Sequence, residues 1–369
     1  MGTNIDSDYH EREKEIEAFE KSKAGVKGLI DSGITNIPRF FITPNVSESK
    51  NGLRVEIPVI DFRGAERGGD RRMKIIDEIR NASEKWGFFQ MVNHGVPLSA
   101  MEAILEGTRK FHEQPKEAKT ELYSSDSRQS VRFYTINGHL KKSDVAGWRD
   151  AFSCTFTDDL VDREAIPLVC RDEICDYMKH MIGLRDVLSE LLSEALGLSP
   201  DFLEKTECMK SEYLSCLYYP ASPDPDRTRG TVDHFDPTTL TVLVQDNCGG
   251  LQIHYEDNWI DVPPIPGALI ANIGDLFQLI SNDKFKSVEH RVLARSSGNR
   301  VSTACFFYPS SKQMVKPYGP IKELLSEDNP AVYRQVNYIE FVTHHQTNVG
   351  EGQSALSNFK LSRDKSLIG

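Results

Sequence analysis

A histidine and an aspartate stand two positions apart in GTVDHFDPTTLTVLVQD (230–246), directly before an apolar run. His234 and Asp236 are not natural core residues, and LTVLVQD has the β-branched content of a strand. They are either polar residues in a turn that leads into a sheet, or two ligands of a metal whose third ligand lies elsewhere. Because a short H-x-D motif often occurs by chance, this stretch alone favours the turn.

His290, in KSVEHRVLA, is the candidate for a third ligand. It follows Asp236 by 54 residues and lies on a different predicted strand. Two histidines and one carboxylate on one face, with three coordination positions open, are typical of non-haem Fe(II) oxygenases. His254 and the pair His344 and His345 have no such partner pattern, so we predict no ligand role for them.

Arg300 and Ser302 form an R-x-S motif that begins ten residues after His290. Residues two apart on a strand point to the same face, so a guanidinium and a hydroxyl would lie side by side. Arginine binds carboxylates in a bidentate fork, and this pair could hold the far carboxylate of a dicarboxylic cosubstrate that chelates the metal. The alternative is an exposed strand arginine paired with an acidic residue. Taken with the three candidate ligands, the motif favours a metal oxygenase.

Periodicity predicts a first half rich in helices and a second half rich in short strands. Apolar spacing predicts helices over 9–24, 71–85, 98–112 and 171–197, strands over 53–62 and 86–95, and an irregular segment over 25–41. From residue 211 on, short strands separated by turn signals predict an antiparallel sandwich or a jelly-roll barrel. In the C-terminal segment, 311–369, we expect two helices that pack on this barrel.

The composition fits a globular protein and disfavours several classes of partner. The 369 residues are 39% hydrophobic and 27% charged, with a net charge of −11 that disfavours nucleic acid and anionic membranes. No run is long enough for a membrane span, and the charged N-terminus does not read as a secretory signal. Seven scattered cysteines without a C-x-x-C pair favour reduced thiols, so we expect a cytoplasmic protein.

Longer motifs carry a resemblance to a known family. The first half contains GVKGLIDSGITNIPRFF, IPVIDF and WGFFQMVNHGVP, and the second contains NIGDLFQLISNDKFKSVEHRVLA and YGPIKELLSEDNPAVYR. Over nearly its whole length the chain resembles plant 2-oxoglutarate- and Fe(II)-dependent dioxygenases, and within them the aminocyclopropane-carboxylate oxidase homologues.

The resemblance implies an α+β fold with a double-stranded β-helix (jelly-roll) core, a helical N-terminal half and C-terminal helices. We expect four regions along the chain. They are an N-terminal helix and irregular segment (1–52), a mainly helical N-terminal dioxygenase region (53–205), the Fe(II)/2-oxoglutarate jelly-roll core (206–310) and a C-terminal helical segment (311–369).

The resemblance also assigns roles to individual residues. It implies that Fe(II) is bound by His234, Asp236 and His290, and that 2-oxoglutarate is held by Arg300, Ser302 and Tyr219. Phe306 falls where relatives stack an aromatic substrate. Phe133, Trp148 and the C-terminal segment are further candidates for the substrate pocket, although Trp148 also reads as a structural aromatic.

The implied reaction uses O2 and 2-oxoglutarate to oxidise a plant specialised metabolite, with release of succinate and CO2. Hydroxylation is the expected outcome. Demethylation, desaturation and ring closure would use the same residues and cosubstrate. Ascorbate is the expected reductant. We expect a monomer. Two alternatives stay open: an ascorbate-dependent aminocyclopropane-carboxylate oxidase, and a non-catalytic jelly-roll binding protein.

Three departures from the family pattern lie near these positions. Phe235 stands between two ligands where relatives often have Thr or Ser, and we expect it to point away from the metal. Leu217 replaces an asparagine near the cosubstrate, and PASPDP replaces PPCPEP in a loop. Because Asp236 is retained, a halogenase, which needs that coordination position free for halide, is disfavoured.

Overall fold

The computed structural model describes residues 3–43, 56–65, 68–136, 140, 145–348 and 352–362. No helix in these ranges is both long and apolar enough to cross a membrane. The described ranges contain nine α-helices: α1 (Thr3–Ser22), α2 (Gly25–Asp31), α3 (Asp70–Lys85), α4 (Leu98–Glu113), α5 (Lys116–Lys119), α6 (Arg171–Leu196), α7 (Phe202–Thr206), α8 (Asp275–Ile280) and α9 (Tyr338–Asn348).

The same ranges contain fourteen strands, most of them short. They are β1 (Val59–Asp61), β2 (Phe88–Val92), β3 (Val131–Tyr134), β4 (Asp150–Phe156), β5 (Ser211–Tyr219), β6 (Arg229–His234), β7 (Leu240–Gln245), β8 (Leu251–Tyr255), β9 (Asn258–Asp261), β10 (Leu269–Ile273), β11 (His290–Leu293), β12 (Arg300–Tyr308), β13 (Pro317–Tyr318) and β14 (Val336–Asn337).

Two main sheets form the centre of the molecule. The major sheet has the order β1-β2-β10-β7-β12-β5-β4-β3, and the minor sheet has the order β6-β11-β8-β9. All the pairs in these two sheets are antiparallel except β1 with β2. Buried residues from both sheets, including Phe88, Ile253, Ile270 and Val292, share one apolar cluster. The sheets therefore face each other, and the candidate site lies between them.

Helices α3, α4 and α6 cover the outer face of the major sheet. Ile79, Ile104 and Leu188 from these helices share a core with Leu214 and Val242 from the sheet, and none of the five is exposed to solvent. Each residue comes from the apolar stripe of its helix, which is why the 3.6-residue period predicted these helices. The helical layer buries one face of the sheet and leaves the other to form the site.

The structure differs from the sequence-based expectations in three places. The segment expected to be irregular over 25–41 contains α2 and a short 3₁₀ helix, Arg39–Phe41. The region over 53–205 contains β3 and β4, which were not expected, in addition to β1 and β2, which lie where strands were expected. Strand β4 is buried along almost its whole length, and Phe152, Cys154 and Phe156 alternate in it with Ser153 and Thr155, which is the two-residue period of a strand.

The third difference lies at the C-terminal end. Of two expected helices, the described residues contain one, α9, together with the β13–β14 hairpin and 3₁₀ segments at Lys322–Leu324 and Ala355–Phe359. The strand expected over 53–62 is limited to β1, and residues 53–55 lie outside the described ranges. The helices expected over 71–85, 98–112 and 171–197 match α3, α4 and α6.

Candidate active site

Three side chains of the metal-ligand type meet at one end of the minor sheet. His234 is the last residue of β6, His290 is the first residue of β11, and the two are paired across the strands. Asp236 lies two residues beyond β6, where its carbonyl accepts a hydrogen bond from the Asp275 amide at 2.7 Å. One donor atom from each of the three side chains lies within 4.8 Å of the others.

Hydrogen bonds fix the tautomer of both imidazoles. Nδ1 of His234 lies 2.8 Å from the Val232 carbonyl, and Nδ1 of His290 lies 3.1 Å from the Val288 carbonyl. A carbonyl can only accept, so each Nδ1 carries the proton and donates it. The two Nε2 atoms keep their lone pairs and lie 3.6 and 3.7 Å from Oδ1 of Asp236.

The protonation states also suit a divalent metal. Burial, and then the charge of His290, lower the pKa of His234 to about 3, so this imidazole is neutral at physiological pH. Burial raises the pKa of Asp236, but the two imidazoles and hydrogen bonds from Thr241 and Asn272 outweigh it and hold the pKa below its usual value. Two imidazoles and one carboxylate, all on one side, form a donor set that fits Fe(II).

An arginine without an acidic partner lies on β12 of the major sheet. Arg300 is 1% exposed, and its nitrogens donate to the Gly249 carbonyl, the Gln245 amide oxygen and the Ser302 hydroxyl at 2.8, 2.8 and 2.9 Å. Its guanidinium also lies 4.8 Å from the centre of the Tyr219 ring, on the paired strand β5. All these partners are neutral, so the buried charge fits an anionic ligand such as a carboxylate.

One cavity of about 470 Å³ joins the histidine–aspartate group to this arginine. It is lined by His234, Asp236, His290, Arg300, Ser302 and Tyr219, which brings together every metal and cosubstrate residue predicted from sequence. Phe306 also lines it. These residues come from both sheets, because β6 and β11 belong to the minor sheet and β5 and β12 to the major sheet.

Two other predicted pocket residues lie elsewhere. Phe133 is fully buried in the core and packs against Phe111, and Trp148 is fully buried against Phe41. Neither is among the residues that line the cavity. Phe133 lies on β3, where successive residues face opposite sides of the sheet. Arg132 and Tyr134 flank Phe133 and line the cavity, as does Arg149 beside Trp148.

The cavity has further residues that sequence reasoning missed. Asn272, in the motif NIGD, donates to Asp236, and its place on β10 could have been read from the two-residue period of that strand. His345, for which we predicted no role, lines the cavity, and its Nε2 lies 3.3 Å from the Phe235 carbonyl. Phe235 itself lines the cavity and adds an aromatic surface to it. No local pattern identifies His345, because α9 approaches the site from far along the chain.

Two family models match the chain in succession. Residues 57–168 match the N-terminal region of non-haem dioxygenases in morphine synthesis, and residues 205–309 match the 2OG-Fe(II) oxygenase superfamily. The second match covers both histidines, the aspartate and the arginine described above. The two matches together define the class of the protein as a 2-oxoglutarate-dependent dioxygenase.

Similar proteins place the chain more closely. It is 46% identical to the 1-aminocyclopropane-1-carboxylate oxidase homolog 11 of Arabidopsis thaliana, over 94% of this chain and 97% of that protein. It is 45% identical to the deacetoxyvindoline 4-hydroxylase of Catharanthus roseus, over 95% of this chain and 89% of that enzyme. The chain therefore belongs to the plant 2OG-Fe(II) oxygenases, among the 1-aminocyclopropane-1-carboxylate oxidase homologues.

A solved structure agrees with this assignment. The crystal structure of JOX2 in complex with 2OG, Fe and JA superimposes with a TM-score of 0.81 at 31% identity, over 92% of this chain and 98% of that one. The structure of a rice dioxygenase for auxin oxidation, at 24% identity and a TM-score of 0.68, shares the fold.

Proposed function

We propose that this enzyme oxidises a small plant specialised metabolite while 2-oxoglutarate is converted to succinate and CO2, with hydroxylation as the expected outcome. One observation carries the proposal. The buried Arg300, whose partners are all neutral, faces the same cavity as His234, Asp236 and His290. This shared cavity supports the proposal that one small dicarboxylate contacts both groups.

In this proposal His234, Asp236 and His290 hold Fe(II), and their common side leaves coordination positions for ligands. Bound there, Fe(II) would supply the O2- and 2-oxoglutarate-dependent oxidation chemistry. The protein's part is to orient both imidazoles and hold their protons on Nδ1 through the carbonyls of Val232 and Val288, and to keep the carboxylate of Asp236 ionised. Ascorbate would act as the reductant.

Arg300 and Ser302 would bind the distal carboxylate of 2-oxoglutarate, and Tyr219 would lie along it. The Tyr219 hydroxyl is 3.2 Å from the Thr231 hydroxyl, which holds the ring in place beside the guanidinium. Ile270 of the major sheet and Leu251 and Val292 of the minor sheet give the cavity apolar walls, which would limit the water that reaches the cosubstrate. Fewer competing waters strengthen each charged hydrogen bond to the cosubstrate.

The substrate would enter between Phe306, Phe235 and helix α9. Tyr338 and Val342 of α9 line the cavity together with these two phenylalanines, so the walls suit an apolar or aromatic body. The relative named deacetoxyvindoline 4-hydroxylase supports hydroxylation of a specialised metabolite. We further propose that the enzyme works as a cytoplasmic monomer.

The experiment is an anaerobic titration of the purified protein with Fe(II) and 2-oxoglutarate, followed by the visible charge-transfer absorption of the chelate. Wild type should show the band. His234→Ala should lose it, and Arg300→Ala should need about tenfold to hundredfold more 2-oxoglutarate, because charged hydrogen bonds are lost.

Two variants outside the cavity serve as matched controls. His254 pairs with Glu289 and packs on Trp259, and Arg295 donates to the Cys248 carbonyl at the surface. His254→Ala and Arg295→Ala should titrate like wild type. Iron binding without a band in wild type would reject the 2-oxoglutarate assignment and favour the ascorbate-dependent oxidase.

A further inference from the structure

A second arginine faces the cavity without a partner. Arg149 lies one residue before β4 and lines the cavity. Its Nε and Nη1 are shielded from water, and neither has a hydrogen-bond partner among the residues that the structure describes. Arg300, by contrast, has three neutral acceptors around its guanidinium. Two guanidinium nitrogens shielded from water without acceptors are costly, and a bound anion would remove that cost.

The charges that line the cavity are out of balance. Its guanidinium groups belong to Arg132, Arg149 and Arg300, and its carboxylate belongs to Asp236. Asp236 is committed to the metal site, and Arg300 to 2-oxoglutarate. The positive charge of Arg149 therefore remains for a third molecule in the same cavity.

The wall between Arg132 and Arg149 is polar and aromatic. The Arg132 guanidinium stacks 4.0 Å from the centre of the Tyr134 ring, and its Nη2 donates to the Tyr213 hydroxyl at 3.3 Å. The Tyr134 and Tyr213 hydroxyls lie 2.9 Å apart. Phe306 also lines the cavity and lies near the Tyr213 ring, with the ring centres 6.0 Å apart. Such a surface suits a molecule with an aromatic or apolar body and a charged end.

We propose that the substrate carries a carboxylate that Arg149 binds, with Arg132 as a second positive charge on the same wall. The inference rests on the proposed function and names the chemical class of its substrate. A carboxylate matches the planar fork of a guanidinium, and its charge replaces the missing acceptors of Arg149. It also supplies a negative charge that none of the lining residues outside the metal site supplies.

The test measures binding of matched acids and amides to the enzyme loaded anaerobically with Fe(II) and 2-oxoglutarate. The probes are phenylacetic acid, cinnamic acid and 2-naphthoic acid, each compared with its primary amide by isothermal titration calorimetry. We expect wild type to bind at least one acid about tenfold or more tightly than its amide, the effect of one charged hydrogen-bonded pair. Arg149→Gln should abolish that preference, and Arg149→Lys should keep part of it because the charge remains.

Arg128 provides the control. Its side chain is 88% exposed and pairs with Asp126, so Arg128→Gln should bind acids like wild type. If no acid binds wild type more tightly than its amide, or if Arg149→Gln keeps the preference, the inference is wrong.

Two further readouts separate this role from others. A structural arginine would lower the melting temperature when replaced, whereas Arg149→Gln should melt at or above the wild-type temperature without ligand, because no protein hydrogen bond is lost. The charge-transfer titration of Arg149→Gln should match wild type. If the variant instead needs more 2-oxoglutarate, Arg149 serves the cosubstrate and the inference is overturned. Absence of the band in wild type would reject the proposed function itself, and the inference with it.

Discussion

The two carboxylate oxygens of Asp236 have different neighbours. Oδ2 accepts from the Thr241 hydroxyl at 2.6 Å and from the Asn272 amide at 2.7 Å. Oδ1 is the atom that lies closest to the Nε2 atoms of His234 and His290. Because Oδ2 is occupied by two donors, the carboxylate is fixed in rotation and presents Oδ1 to the metal position.

We therefore predict that Asn272→Ala weakens Fe(II) binding. Partners that orient a metal ligand are worth about tenfold to hundredfold in metal affinity, so we expect a loss of that size. Thr241→Val removes the other hydrogen bond with little change of volume and should give a loss in the same direction. The measurement is a competitive Fe(II) titration against a chelator.

Asn81→Ala is the control, because Asn81 is exposed and its amide donates to the Asp77 carbonyl within α3. Wild-type iron affinity in both Asn272→Ala and Thr241→Val would show that Asp236 needs neither partner.

At the scale of elements, helix α2 depends on a residue far along the chain. Its N-terminal residue has no side-chain cap, and its first amides donate to Asp150 instead, Val26 at 2.8 Å and Lys27 at 2.9 Å. The Thr135 hydroxyl donates to the same carboxylate at 2.6 Å. Gly25 is required beside it, because a Cβ there would lie 2.6 Å from Asp150 Oδ1. The local sequence therefore predicted an irregular segment where the tertiary contact forms a helix.

Asp150→Ala should release α2 from β4. The loss of a buried charged acceptor leaves two amides unsatisfied, and we expect the free energy of unfolding to fall by about 2–3 kcal/mol. Amide exchange measured by mass spectrometry should accelerate over Gly25–Asp31 more than over α6. Asp126→Ala removes an exposed carboxylate and should leave exchange in α2 unchanged. Equal protection of α2 in both variants would contradict the role of Asp150 as its cap.

At the scale of the whole molecule, a buried ionic group joins the helical layer to the major sheet. Arg185 of α6 lies 2.5 Å from Glu212 of β5 and 2.5 Å from Asp159. Glu212 is not exposed to solvent, and its Oε2 has no hydrogen-bond partner among the described residues. Burial raises the pKa of Glu212 to about 8, although the charge of Arg185 opposes the rise.

This shift predicts the pH dependence of stability. Between about pH 4.5 and pH 8 the folded protein holds a proton on Glu212 that the unfolded chain releases, so this carboxyl group lowers stability as the pH rises. Glu212→Gln resembles the protonated form and does not titrate. The variant and wild type should melt at similar temperatures near pH 5, and the variant should melt higher near pH 8.

Calorimetry across this range checks the prediction, with Glu117→Gln on the exposed surface of α5 as the control. The prediction would be contradicted if the difference in melting temperature between wild type and Glu212→Gln stayed constant with pH, or if wild type melted higher at pH 8.

The sequence by itself predicted the candidate ligand set and determined the helices around it. H-x-D, the distant His290 and R-x-S are spaced for strands, and their residue types suit a metal and a carboxylate whatever the order of the sheets. The positions of α3, α4 and α6 followed from apolar periodicity, because each helix buries one continuous stripe.

Only the tertiary structure decided which neighbours of these residues reach the cavity. Phe133 and Trp148 face the core, whereas Arg132 and Arg149 face the site, because strand pairing between distant segments sets which side of each strand is turned inward. The same holds for His345 and for the cap on α2, since both depend on contacts between residues more than 100 positions apart. Such contacts leave no periodic signal in either segment, so they emerge only when the chain is folded.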